Sequence, residues 1–348
     1  MASERKDYRG RLWFSAVLVL LPVMALAMSL VRPSDVPRNE GIAWQAWQDM
    51  FVQRGRVLDT GNGNISHTEG QGWGMLFAES QGDKAAFDAL WDWTRENLYD
   101  EHSGLFAWRF DPSRDQPVDD PNNASDGDLL IAWALLRASL RWDEPAYVSE
   151  ATALRHAIVH HLVRSYAGYT VLLPGRAGFV HEQHINVNLS YLVMPALRDF
   201  AAIEPDGPWA DVMHDGRRLL EAGRFGEHAL PPDWLSLSDE GVLTPAAGWP
   251  PRFGYEGVRI PLYFVWAREP DSEGLRAIRA FWTARQAAWV NVEDGSEADY
   301  APSRGALAVE ALAKGDLDRV PRNLEPGQDY YSGSLLLLTQ LAVEELSR

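Results

Sequence analysis

Residues 122–142 read NNASDGDLLIAWALLRASLRW. A polar approach of Asn, Ser and Asp runs into apolar residues at helical spacing: Ile131, Ala132, Leu135, Leu136, Ala138 and Leu140. Ser125 or Asp126 is expected to cap this helix. Acids at 126 and 128 ahead of an apolar helix can divide their work, one carboxylate facing a cleft and the other satisfying backbone amides. The two aspartates are similar to part of a calcium loop, but the remaining oxygen ligands and a distal Glu are missing.

The same periodicity marks eleven helices across the chain: 40–54, 70–81, 83–98, 126–141, 144–166, 187–203, 208–225, 256–268, 271–288, 301–313 and 329–347. No comparable series of alternating strand patterns accompanies them. Pro- and Gly-rich loops punctuate the run, the longest over about 227–254. Loops of that length are usually functional. No linker or fixed-period repeat divides the chain. These features predict an all-α fold, an α/α toroid of helices alternating in direction, with a second helical domain as the alternative arrangement.

The 348 residues carry a formal charge of −17, which opposes binding to nucleic acid or anionic lipid. A neutral or cationic partner is expected. There are no cysteines, which excludes disulfides, thiolate nucleophiles and zinc–cysteine sites. The fifteen tryptophans supply flat apolar faces of the kind that stack on sugar rings, although any of them can equally be core.

Arg5, Lys6, Arg9 and Arg11 precede an apolar run from Leu12 to Val31, which Arg32 and Pro33 close. A basic segment followed by an apolar one is an export signal, and the run is also long enough to span a bilayer. Ala25-Leu26-Ala27 has the small-x-small pattern of a cleavage site. Cleaved signal and retained anchor both fit residues 1–32, and both place the rest outside the cytoplasmic membrane, periplasmic or secreted.

Three segments have the chemistry of a site. In His67-Thr68-Glu69-Gly70-Gln71-Gly72-Trp73-Gly74-Met75, Thr68 is expected to cap a helix with Glu69 in its first turn. Three alternate glycines weaken a helix by about 1 kcal/mol each, which makes sense where a ligand or another backbone approaches closely. Beside Trp73, Glu69 is placed to keep its proton, as a general acid requires. Asp126 and Asp128 form the second segment. In the third, Phe253-Gly254-Tyr255-Glu256-Gly257-Val258-Arg259, Glu256 and Arg259 can share a helical face. His156, His160 and His161 lack the carboxylate spacing of a metal site and suit a solvated helix face. No phosphate loop, dinucleotide fingerprint or Gly-x-Ser-x-Gly is present, and neither a metal nor a cofactor is implied.

Ala124-Ser125-Asp126-Gly127-Asp128, with Ile131-Ala132, Leu135, Ala138 and Trp142, resembles the signature of glycoside hydrolase family 8. Thr68-Glu69-Gly70-Gln71 with Gly74-Met75 resembles that family's Ser-Glu-Gly-Gln-x-x-Gly-Met block. Asn188-Leu189-Ser190-Tyr191 is similar to its Asn-Pro-Ser-Tyr block. Leu230-Pro231-Pro232-Asp233-Trp234 and Tyr330-Tyr331-Ser332 also look familial. The resemblance covers about residues 38–348 and implies a single catalytic domain there, an (α/α)6 barrel and an inverting mechanism. It implies that Glu69 donates a proton to the leaving oxygen, that Asp126 binds and distorts the central sugar, and that Glu256 activates water. Glu256 is a departure, because much of the family has Asp there, and the extra methylene shifts the carboxylate. Tyr191 is then expected to hold the water and Arg259 to orient the base. Asp128 and Tyr330 are expected near the substrate, with Trp73, Trp108 and Trp133 as candidate stacking platforms.

The implied activity is an endo-β-1,4-glucanase acting on cellulose or a related β-glucan, with a cellulose synthase complex as an expected partner. Chitosan, lichenan and xylan are alternative family substrates, chitosan being cationic. A catalytically weak glucan-binding subunit of the synthase is a rival of another class.

Overall fold

The computed structural model describes residues 42–348, so the N-terminal basic and apolar segment lies outside the described residues. Among the described residues there are eleven α-helices. They are α1 (Trp44–Phe51), α2 (Thr68–Gln81), α3 (Lys84–Leu98), α4 (Ser125–Trp142), α5 (Pro145–Leu162), α6 (Met194–Ile203), α7 (Trp209–Ala222), α8 (Arg259–Trp266), α9 (Glu273–Ala284), α10 (Arg304–Lys314) and α11 (Tyr330–Leu346). None is long and apolar enough to cross a membrane.

The helices make an inner ring with an outer layer. α2 packs on α4, α4 on α6, α6 on α8, α8 on α11, and α11 returns to α2. The outer helices α3, α5 and α7 each lie against the inner helix that precedes them. Burial follows this division. Eleven of the residues of α2 are buried, from Thr68 to Glu79, whereas α3 buries a single stripe of Phe87, Leu90, Trp91, Thr94 and Leu98. A helix that is apolar all round belongs in a core, and a helix with one apolar stripe belongs on its outside.

Small residues and paired charges set the inner contacts. A Cβ on Gly72 would lie 2.5 Å from Leu130 Cβ, and one on Gly127 would lie 2.8 Å from the Glu69 amide, so α2 and α4 approach to backbone distance. Glu79 of α2 is buried and receives Arg137 Nε at 2.7 Å and Arg141 Nε at 2.8 Å, both from α4. Arg137 continues to Glu345 of α11 at 2.6 Å, so one chain of charges ties three inner helices together. Trp133 of α4 and Trp266 of α8 meet edge to face at 5.1 Å.

The helix ends differ from the sequence periodicity where loop chemistry intervenes. The pattern over 144–166 stops at Leu162, because Val163–Tyr166 pairs with Tyr169–Leu172 in a hairpin. Its turn places Ala167 and Gly168 at φ 46° and 78°, which only a left-handed turn allows. The pattern over 187–203 becomes α-helical only at Met194, after a single 3-10 turn at Leu189–Tyr191. Part of the long 227–254 loop is folded: Leu235–Ser238 pairs antiparallel with His184–Val187 on one side and Leu243–Pro245 on the other.

Candidate active site

Glu69 enters the site at the start of α2. Ser66 and His67 pair with Phe110 and Arg109, and the Thr68 amide donates to the Trp108 carbonyl at 3.0 Å. The N-cap is His67, whose Nδ1 accepts the Gly70 amide at 3.2 Å, rather than Thr68 as the sequence suggested. Thr68 is the first helical residue and is buried against Gly127. The alternating glycines face protein: Gly70 abuts the Tyr330 hydroxyl, Gly72 abuts Leu130, and Gly74 abuts Val57 and Leu90. Of the two causes that the sequence leaves open, close packing is the one observed.

Asp126 and Asp128 divide as their spacing allows. Neither Ser125 nor Asp126 caps α4 as expected; its N-cap is Ala124, without a side-chain bond. Asp126 Oδ1 accepts the Gly127 amide at 2.8 Å, and its Oδ2 lies 3.5 Å from Arg259 Nη1. Asp128 turns away and accepts the Phe106 amide at 3.1 Å and the Asn123 side-chain amide at 2.8 Å. Asp128 is therefore a fully buried anchor for the 105–110 segment, turned away from Arg259, contrary to its expected place near the substrate.

Glu256 sits on the turn that leads into α8. Its Oε2 accepts Asn188 Nδ2 and Ser190 Oγ, both at 3.2 Å, and contacts Arg259 Nη2. Arg259 also donates to Ser190 Oγ at 3.0 Å, and its other terminal nitrogen contacts Glu69 Oε1. One guanidinium, with a side chain only 4% exposed, is thus shared by Glu69, Asp126 and Glu256. Glu69 and Glu256, far apart in sequence, converge on opposite arms of it.

This arrangement decides the protonation chemistry. A single guanidinium serves three carboxylates, Asp126 buried and Glu69 and Glu256 partly buried, so full ionisation leaves charge that this cation does not balance. Burial pushes Asp126 up to about 7, against the pull of the Gly127 amide. Burial, reinforced by the Asp233 and Asp126 carboxylates, pushes Glu256 up to about 8; Asn188 and Ser190 oppose this. Near neutral pH both shifts favour the protonated carboxyl at Asp126 and Glu256, so Glu256 gives up a proton before it can take one from water.

The expected aromatic platforms separate by burial. Trp73 is fully buried and donates its indole N–H to the Tyr263 hydroxyl at 3.3 Å. Trp133 is fully buried and donates to Asp199 at 2.8 Å. Tyr330 is also in the core, its ring against Trp47 and Phe51. All three are core residues and present no open face to a sugar. Trp108 is half-buried, with Arg109 over its ring at 4.9 Å and its N–H on Asp120 at 2.9 Å. Tyr191 is half-buried, 5.8 Å from the Arg259 guanidinium and edge-on to Trp234 at 5.8 Å.

Other contributors escaped the residue-by-residue reading. Asn188, Ser190 and Tyr331 lie in blocks that look familial, from which only Tyr191 and Tyr330 were singled out. Tyr331 donates its hydroxyl to the Tyr255 carbonyl and so ties α11 to the turn that carries Glu256. Trp234 stacks on Phe179 at 5.6 Å and on Trp249 at 4.6 Å, extending an aromatic row outward from Tyr191. Only a fold brings residues 179, 191, 234 and 249 together, so no local pattern marks the row.

The model for glycosyl hydrolases family 8 matches residues 16–345. The chain belongs to glycosyl hydrolase family 8. A probable endoglucanase of Novacetimonas hansenii is 44% identical over 317 residues, covering 89% of this chain and 93% of the relative. The crystal structure of a family 8 endoglucanase from Klebsiella pneumoniae superposes with a TM-score of 0.85 at 41% identity, covering 87% of this chain and 99% of the other. An endo-β-1,4-glucanase from Acetobacter xylinum superposes at 0.81 and 40% identity, over 88% and 98%. The family 8 chain is a glycoside hydrolase, and its fold is the (α/α)6 barrel of its structural neighbours.

Proposed function

We propose that this family 8 hydrolase is an inverting endo-β-1,4-glucanase that cleaves cellulose or a related β-glucan. The observation that carries the reading is the convergence of Glu69, Asp126 and Glu256 on Arg259, in a chain whose relatives are named endoglucanases. In the proposed step Glu69 gives its proton to the glycosidic oxygen as the bond to the anomeric carbon breaks. Water attacks that carbon from the opposite face and loses its proton to Glu256. Asp126 holds the distorted central sugar, and Arg259 orients Glu256. The cycle ends with Glu69 ionised and Glu256 protonated, and solvent exchange resets both. Inverting geometry places the two carboxyls about 6.5–9.5 Å apart around substrate and water.

Reducing-sugar release from carboxymethylcellulose, lichenan, chitosan and xylan tests the substrate. Release is expected to be greatest from the two glucans. Greatest release from chitosan would instead match the −17 charge to a cationic glycan. Oligosaccharide binding without release from any of the four would make the chain a glucan-binding subunit. Proton NMR of the first product is expected to show the α-anomer, and a β-anomer would overturn inversion. The basic and apolar N-terminal segment supports export to the periplasm or beyond. We extend the proposal to work beside a cellulose synthase complex, which co-purification from a cellulose-producing cell would test.

A further inference from the structure

We propose that Asp233 is the positioning residue for Glu256: it fixes the turn that carries the base and sets, through its charge, the pH at which that base is ready. The inference rests on reading Glu256 as the base. Asp233 lies in the Leu-Pro-Pro-Asp-Trp segment and its side chain is 4% exposed. Its Oδ1 accepts two backbone amides, from Gly254 at 2.9 Å and Gly257 at 2.8 Å, which bracket Glu256. The Asp233 amide donates to the Arg252 carbonyl at 2.6 Å, and Arg252 Nε lies 3.4 Å from Oδ2. The carboxylate is therefore committed to the turn and is not a second candidate base.

The turn has no slack around this anchor. A Cβ on Gly257 would lie 2.5 Å from the Phe253 ring and 3.3 Å from Asp233 Oδ1, and one on Gly254 would lie 2.9 Å from Trp289 Cβ. Both glycines have negative φ, so space rather than backbone conformation excludes a side chain. The Asp233 charge is also felt at Glu256, where it opposes ionisation. Other charged groups near Glu256 are Asp126 of α4, Arg259 of α8 and, through that guanidinium, Glu69 of α2. Tyr191, Tyr263 and Tyr331 complete the titratable surroundings. All of these are unchanged by substitutions at 233 or 257.

The test is the pH profile of kcat/KM on a neutral cello-oligosaccharide, with circular dichroism to confirm folding. Asp233→Asn keeps an oxygen for the two amides and removes the charge. Its plateau activity should stay within about tenfold, and its acidic limb should move down by roughly one pH unit. Asp233→Ala should lose about 10²-fold in kcat with KM little changed. Gly257→Ala keeps the charge and displaces the amide, so its plateau should fall at least about tenfold while the limb stays in place. An unmoved limb in Asp233→Asn, or wild-type turnover in either alanine variant, overturns the proposal. Glu256→Ala assayed with azide checks the underlying reading separately. Azide replaces water as nucleophile, Glu69 still protonates the leaving oxygen, and a glycosyl azide forms. No azide rescue removes the base assignment and this proposal with it; rescue with an unmoved Asp233→Asn limb removes the proposal alone.

Discussion

Glu69→Gln is expected to lower kcat by about 10²–10⁴-fold, the contribution of a general acid. The glutamine is close in shape and keeps an oxygen toward Arg259, so substrate binding should be little affected and KM should change far less than kcat. The loss should also depend on the leaving group. An aryl cello-oligosaccharide whose phenol departs without a proton should recover much of the lost rate, whereas an unmodified oligosaccharide should not. Near-normal turnover of the natural linkage would show that Glu69 is not the proton donor. An equal loss on both substrates would place its role in binding.

Gly127→Ala carries the largest expected effect on stability. The added methyl would meet Thr68 and come within 2.8 Å of the Glu69 amide, where α2 and α4 already touch at backbone distance. Overpacking a tight core costs about 1–3 kcal/mol, and here only backbone movement relieves it. That movement displaces the first turn of α2, and a shift of about 1 Å in a catalytic group can cost on the order of 10²-fold in rate. The melting temperature and kcat should therefore fall together. Gly61→Ala is the control, since its methyl meets nothing nearer than 3.4 Å. A Gly127→Ala enzyme with wild-type melting and turnover would mean that the two helices separate without cost.

These predictions show what the sequence discloses and what it conceals. Helical periodicity places all eleven helices, because an inner helix must be apolar over most of its surface and an outer one along a stripe. Their ends are less legible: Val163–Tyr166 continues an apolar pattern, and only its partner strand makes it a strand. In the site, Glu69, Asp126 and Glu256 stand out because each is an acid beside glycine at a helix entrance. Their convergence on Arg259 is not written locally, since it depends on how three separate elements close around one guanidinium. Asp128 and Trp73 show the opposite case, chemically apt residues that the fold consumes as a backbone anchor and a core wall. Asp233 shows a third: its value lies in two amides more than twenty residues along the chain, which no spacing rule would connect.

The shared guanidinium also makes turnover a readout of complete ring closure. Its three carboxyl partners come from α2, α4 and the turn ahead of α8, and α11 must dock before Tyr331 can brace the base. A refolding enzyme should therefore regain its far-ultraviolet helical signal before it regains any hydrolysis. A chain truncated ahead of α11 should keep helices yet cleave nothing, and the lag between the two signals would time the joining of the barrel's ends.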